Sequence, residues 1–249
     1  MNEVEYVRMY EAEEIHWWYV ALHELILSFV VLECRDKPLN ILDVGCGTGR
    51  LCQMMSEYGE VSGCDRSGIS VAYCRKRNLS SVFRADLNTV VLQSDFYDVI
   101  TSIDVLCHRA IKDDVTILKK LYTALKPSGI LILNLPAYES LRGTHDAAVH
   151  TERRYSKSDL VSVMTETGFV VEKATYRLLF LFLPVLIYRL FKRLFLRHGG
   201  AKEVLSDVSM PSAVINRALL GLGRIENLFI KRYSMPFGTS VFAVGRKPL

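Results

Sequence analysis

Ile41-Leu42-Asp43-Val44-Gly45-Cys46-Gly47-Thr48-Gly49 is an apolar run that ends in three alternating glycines. Such a run reads as a strand that delivers the chain into a tight loop. Glycine is needed where backbone turns sharply or approaches a ligand closely. Arg50 to about Tyr58 then reads as a helix, whose first N–H groups are unpaired and adjoin the loop. Strand, glycine loop and helix N-terminus together form a nucleotide-type cradle.

The same rhythm continues on either side. Strands are predicted at Asn40–Val44, Glu60–Cys64, Ser81–Arg84, Tyr97–Ser102 and Ile130–Leu135. Helices are predicted between them at about Gly68–Arg77 and Lys112–Leu125. This alternation predicts an α/β fold: a Rossmann-like, seven-stranded, mostly parallel sheet with helices on both faces. A further helix at Ser156–Thr167 and strands at Phe169–Tyr176 and Thr239–Gly245 complete it. Residues 3–33 read as helical, with Val4, Val7, Ile15, Trp18, Leu22, Leu25 and Ile26 at helix-like spacing. The chain thus divides into an N-terminal helical cap (1–37), a core (38–176), a helical insertion (177–238) and a final core strand (239–249).

Three details sharpen the reading of the loop. Its pattern is Gly-x-Gly-x-Gly, and Arg50 stands where a dinucleotide fingerprint would place glycine. Asp65 ends the second strand, at a spacing that lets its carboxylate accept both ribose hydroxyls of an adenosine. Asp86, in Ala85-Asp86-Leu87 after the third strand, can meet an adenine amino group.

With these residues in place, the chain resembles a class I S-adenosylmethionine-dependent methyltransferase of the type 11/12 group. The resemblance runs from Ile41 to about Leu135. It includes Gly63-Cys64-Asp65, Asp98-Val99-Ile100 and Leu125-Lys126-Pro127-Ser128-Gly129. It implies S-adenosylmethionine as cofactor and S-adenosylhomocysteine as product. It also implies that Asp43, Gly45, Cys46, Gly47 and Gly49 hold the methionine end. Asp65 and Arg66 would lie at the ribose, and Asp86 and Leu87 at the adenine. Ile103, Asp104 and His108 would line the methionine side. His16-Trp17-Trp18-Tyr19 resembles a stretch that lies over the cofactor in such enzymes, which adds Trp18, or else the tryptophans pack the helix onto the sheet.

Methyl transfer from a sulfonium needs chiefly positioning and exclusion of water, and a base only where the acceptor atom is protonated. Candidate bases are His145 and His150, in the run that follows strand five, with Asp146 to orient one of them. Tyr138, Arg153, Arg154 and Tyr155 are candidate acceptor contacts, and the arginines equally fit a loop pinned by salt bridges. The insertion opens with Leu178-Leu179-Phe180-Leu181-Phe182-Leu183-Pro184-Val185-Leu186-Ile187-Tyr188. This is too short to span a bilayer, which takes roughly 20 apolar residues. Arg189, Lys192, Arg193 and Arg197 follow among leucines and phenylalanines. That pattern fits a helix in a membrane interface across 177–200, a lid over a greasy acceptor, or a homodimer contact. A small lipophilic acceptor is the partner expected, at the inner face of a membrane in the cytoplasm.

Composition narrows the other classes. The 249 residues carry a net charge of +4, half of them are apolar, and nothing suggests a nucleic-acid partner. The six cysteines form no Cys-x-x-Cys pair, so no metal site is expected, and they suit a reducing compartment. The acidic start, Met1-Asn2-Glu3-Val4-Glu5, does not read as a signal peptide. Ser102-Ile103-Asp104-Val105 stands where amino-group methyltransferases of nucleic acids carry Asn/Asp-Pro-Pro-Tyr, and no Pro-Cys nucleophile exists. Tyr-x-x-x-Lys occurs at Tyr122–Lys126 and Tyr188–Lys192, away from the loop, which disfavours a nicotinamide oxidoreductase. A cofactor-binding accessory subunit without its own catalysis remains the non-enzyme alternative.

Overall fold

The computed structural model describes residues 2–34, 37–195 and 210–249. Arg197 and the side chains of Lys192 and Arg193, the basic half of the expected interface helix, lie outside the described residues.

The strands are β1 (Leu39–Val44), β2 (Gly59–Asp65), β3 (Val82–Arg84), β4 (Tyr97–Ile103), β5 (Leu125–Pro136), β6 (Val170–Arg177) and β7 (Ser240–Arg246). They form one sheet in the order β3-β2-β1-β4-β5-β7-β6. Only β7 runs antiparallel to its neighbours. The expected seven-stranded, mostly parallel sheet is thus observed. Its order reverses between β1 and β4, which opens a crevice at their carboxyl ends.

The central strands are apolar on both faces because both are covered. Leu42, Val44, Ile100 and Leu133 pack with α5 (Asp114–Ala124) and α7 (Lys157–Glu166). Ile41, Val99, Ile132 and Phe242 pack on the opposite face with Leu22, Leu25 and Ile26. Those leucines belong to α2 (Trp17–Glu33), which follows α1 (Glu3–Ala12). The helix α3 (Arg50–Met55) follows the glycine loop, and α4 (Gly68–Lys76) follows β2.

The N-terminal region was expected as one helical stretch, yet α1 and α2 are bent by 73°. A buried ionic network lies at the break. Glu13 accepts from the Thr48 hydroxyl and, at 2.8 Å, from Arg77 Nη2. Arg77 Nε donates to the Thr48 carbonyl at 3.1 Å and its Nη1 to Glu14 at 2.6 Å. Glu13 and Arg77 side chains are each only 5% exposed, so the pair must be satisfied where it stands. The network fastens the N-terminal cap to the glycine loop and to the end of α4.

The insertion packs on that cap. It contains α8 (Leu179–Phe195) and α9 (Ala213–Arg232). Asn227 Nδ2 of α9 donates to the Ala21 carbonyl at 2.7 Å, and Gly223 lets the two helices approach at Ala21. Asn216 accepts from Trp17 N at 2.9 Å and donates to the Ile15 carbonyl. Glu226 reaches back from α9 and accepts from the N–H groups of Leu178 and Leu179, both at 2.7 Å. It thereby satisfies the free donors at the start of α8.

Breaking a buried pair leaves an uncompensated charge. Arg77→Met is therefore expected to destabilise the fold by about 3–5 kcal/mol. Urea unfolding measures this, and a loss below about 1 kcal/mol would show the network to be incidental.

Candidate active site

A cavity of about 1290 Å³ lies at the carboxyl edge of the sheet. Its floor is built from strand ends: Gly45 and Gly47 after β1, Asp65 and Arg66 at β2, Asp86 and Leu87 after β3, and Ile103 and Asp104 at β4. Tyr6, Met9 and Trp18 cover it from the N-terminal helices. Leu178, Leu181, Val185 and Arg189 wall it from the insertion.

The glycine loop meets the demands placed on it. Gly45 has φ +73°, and a Cβ there would come within 2.2 Å of Val105 Cγ2. Gly47 has φ +53°, and its Cβ would press on Met9 Sδ at 2.8 Å. Both keep backbone low beneath the cavity, which leaves a cradle that side chains would fill. Asp65 accepts from Gly47 N at 3.1 Å and from Ser67 N at 2.8 Å. A carboxylate has about four lone-pair directions, so capacity remains for a ligand's hydroxyls. Burial pushes the Asp65 carboxyl above the ordinary range, against its backbone hydrogen bonds. Asp86 is held below that range, first by the Asn88 N–H at 2.9 Å.

Asp104 has the left-handed φ of 55° at the end of β4. Its carboxylate is open to the cavity but enclosed by surrounding chain, and it accepts from Asn134 Nδ2 at 3.2 Å. Burial pushes that carboxyl up to about 7. His108, His145 and His150 also line the cavity. His108 Nδ1 accepts from Ala110 N, and burial lowers its pKa to about 4. The His150 ring lies 5.6 Å from that of His108 and within 3.0 Å of Asn2 Oδ1, and burial lowers its pKa as well.

Several expected site residues turn away from the cavity. Asp43 is enclosed beneath the loop, where it accepts from Thr101 Oγ1 at 2.7 Å and Cys52 Sγ at 3.5 Å. Burial lifts its carboxyl to about 6. Cys46 faces Cys74 of α4, with sulfurs 3.9 Å apart, and Gly49 caps α3 with φ +86°. These three therefore shape the loop from below. Tyr138 stacks on Tyr176 with ring centroids 4.8 Å apart. Arg153 donates to the Ile111 carbonyl, and the Tyr155 hydroxyl donates to Asp114 at 2.8 Å. They pin the segment after β5 to the domain. Arg154 lines the cavity, but Asp146 grips it at 2.9 and 3.0 Å. Asp146 thus serves the arginine rather than a histidine, on the short helix α6 (Thr144–Val149).

Tyr6 and Met9 are cavity residues that the sequence does not mark. Their signal was faint, because α1 reads only as a short amphipathic helix. Burial and the nearby Asp65 carboxylate push the Tyr6 hydroxyl to about 12.

Residues 42–133 match the model of the methyltransferase domain family, Methyltransf_11. This stretch, from β1 to β5, is similar to a methyltransferase domain. The chain is 28% identical over 159 residues to a ubiquinone biosynthesis O-methyltransferase of Idiomarina loihiensis, covering 56% of this chain. It spans 65% of the length of that relative. Among solved structures it is similar to an S-adenosylmethionine-dependent methyltransferase of Thermotoga maritima, with TM-score 0.57 and 18% identity over 98% of this chain and 95% of that one. It is also similar to phosphoethanolamine N-methyltransferase 2 of Haemonchus contortus, solved with S-adenosyl-L-methionine. The TM-score there is 0.53 at 19% identity, covering 86% of this chain and 50% of the other.

The glycine cradle and the two strand-end carboxylates fit an adenosine bearing a flexible amino-acid tail. Asp65→Ala is expected to weaken S-adenosylhomocysteine binding more than about tenfold, the scale of one to two lost charged hydrogen bonds. Calorimetry showing unchanged affinity would contradict the ribose contact.

Proposed function

We propose that the chain transfers a methyl group from S-adenosylmethionine to a hydroxyl of a lipophilic acceptor. The observation that carries this reading is one continuous cavity. It joins the glycine cradle and its carboxylates to an apolar wall contributed by the insertion.

Asp65 would take the ribose hydroxyls, while Asp86 and Leu87 flank the adenine. The backbone at Gly45 and Gly47 would admit the methionine end beside Ile103 and Asp104. Trp18 and Tyr6 would close over the cofactor and exclude water. When bound, the cofactor supplies a methyl group already activated by its positive sulfur. What remains for the protein is to place the acceptor in line and remove its proton. A hydroxyl needs such a base. His150 is neutral near pH 7, as a base must be, because burial lowers its pKa. His145 shares the wall and is the second candidate. The O-methyltransferase names of the curated relatives agree with a hydroxyl acceptor.

Leu183, Ile187 and Leu228 are each more than 60% exposed on α8 and α9. These outward faces suit a membrane surface from which a greasy acceptor could enter. Among the described residues, no single helix is long and apolar enough to cross a membrane. A homodimer contact would use the same faces.

The test supplies methyl-labelled S-adenosylmethionine with vesicles made from a whole lipid extract. Label should pass into the lipid fraction, and His150→Ala or His145→Ala should slow transfer by about 100-fold or more, the scale of a lost general base. Tight cofactor binding without transfer to any lipid would favour the accessory-subunit reading.

A further inference from the structure

The charges of α9 are sorted by face. Gly223, Glu226, Asn227 and Ile230 recur at three- and four-residue steps and are buried against the rest of the protein. Glu226 is the only acidic residue of the helix. It turns inward and accepts from Leu178 N and Leu179 N, so α9 presents no carboxylate outward.

The outward face holds two kinds of side chain. Leu222, Ile225, Leu228 and Phe229 are exposed there, Leu228 by 66%. Arg217, Arg224 and Lys231 follow one another at seven-residue steps, close to two helical turns, and so line one edge of that apolar stripe. Arg224 pairs with Glu24 of α2 at 2.6 Å. Arg217, Lys231 and Arg232 make no ion pair among the described residues.

Charge decides what covers this face. A second copy of the chain would bring another α9, which offers these cations no carboxylate. The other helix with exposed valines, α1, carries Glu3, Glu5 and Glu11 and would be repelled by an anionic surface. On α9 an exposed apolar stripe, unpaired cations at its edge and no outward acid stand together. That is the pattern of a helix lying in the interface of an anionic bilayer. Leucine and isoleucine enter the acyl boundary, while arginine and lysine reach back to the headgroup phosphates.

We propose that the outward face of α9 docks the protein on a bilayer that carries anionic phospholipid. This deepens the membrane reading of the insertion and rests on it; the methyl-transfer chemistry is not needed for it. The docked helix is also the one that ties down the cavity wall. Its Glu226 holds the start of α8, and Leu181 and Val185 of α8 line the cavity.

The test sediments the full chain with vesicles of phosphatidylcholine alone and of phosphatidylcholine mixed with phosphatidylglycerol. Wild type should bind the mixed vesicles at least about tenfold more tightly, and raised salt should remove the difference. Arg217→Gln with Lys231→Gln should weaken binding to mixed vesicles about 25-fold, at about fivefold per charge. Ile225→Ser with Leu228→Ser should weaken it at least about tenfold and keep the salt dependence. Equal binding to the two vesicles would leave a membrane face without an anionic partner and overturn the proposal. So would no binding by wild type, or binding by both variants at the wild-type level. Self-association without lipid that is lost in the Ile225 and Leu228 variant would assign the face to a second copy, and would overturn it too. All four side chains are exposed, so the variants should fold, and should one fail the other still decides. Calorimetry with S-adenosylhomocysteine reads the methyltransferase proposal separately, and each variant should match wild type there within about twofold.

Discussion

The Arg77 guanidinium, buried between Glu13 and the Thr48 carbonyl, joins three separate parts of the chain. Thr48 lies within the glycine loop, Arg77 at the end of α4, and Glu13 at the break between α1 and α2. Without this tie the loop would keep its glycines but lose its lid. The bend it enforces lays α1 across the cradle, so that Met9 rests on Gly47 and Tyr6 approaches Asp65. The same bend aligns α2 over the sheet, where α9 of the insertion docks. The shape of both halves of the cavity therefore follows from one enclosed ion pair.

The cavity divides its work along the sheet. The β1, β2 and β3 ends present glycines and carboxylates suited to a nucleoside, and the β4 and β5 ends present Asp104 and Asn134. The insertion replaces solvent with leucine and valine on the far side. Glu226 links this wall to the cap, because it leaves α9 to hold the first turn of α8. A nucleoside-type half and an apolar half are thus built from different segments that share one floor.

Much of the core was legible because its signals are local. Alternating strands and helices, the glycine loop, and Asp65 and Asp86 at successive strand ends all stand in the sequence, and Gly45, Gly47, Asp65 and Asp86 line the cavity. What escaped depends on contacts between distant segments. Glu13 reads as one more acidic residue on an amphipathic helix, and only Thr48 and Arg77 make it a hinge. Asp43 carries the family pattern, yet Thr101 and Cys52 draw it inward. Arg153 and Tyr155 resemble binding residues but pin the segment after β5.

Hydrogen–deuterium exchange with and without S-adenosylhomocysteine tests most directly whether loop and cap form one donor site. Added protection is expected at residues 45–49, 65–67 and 86–88, together with residues 5–18 of the N-terminal cap. Protection of the loop without the cap, or no change in either, would contradict it.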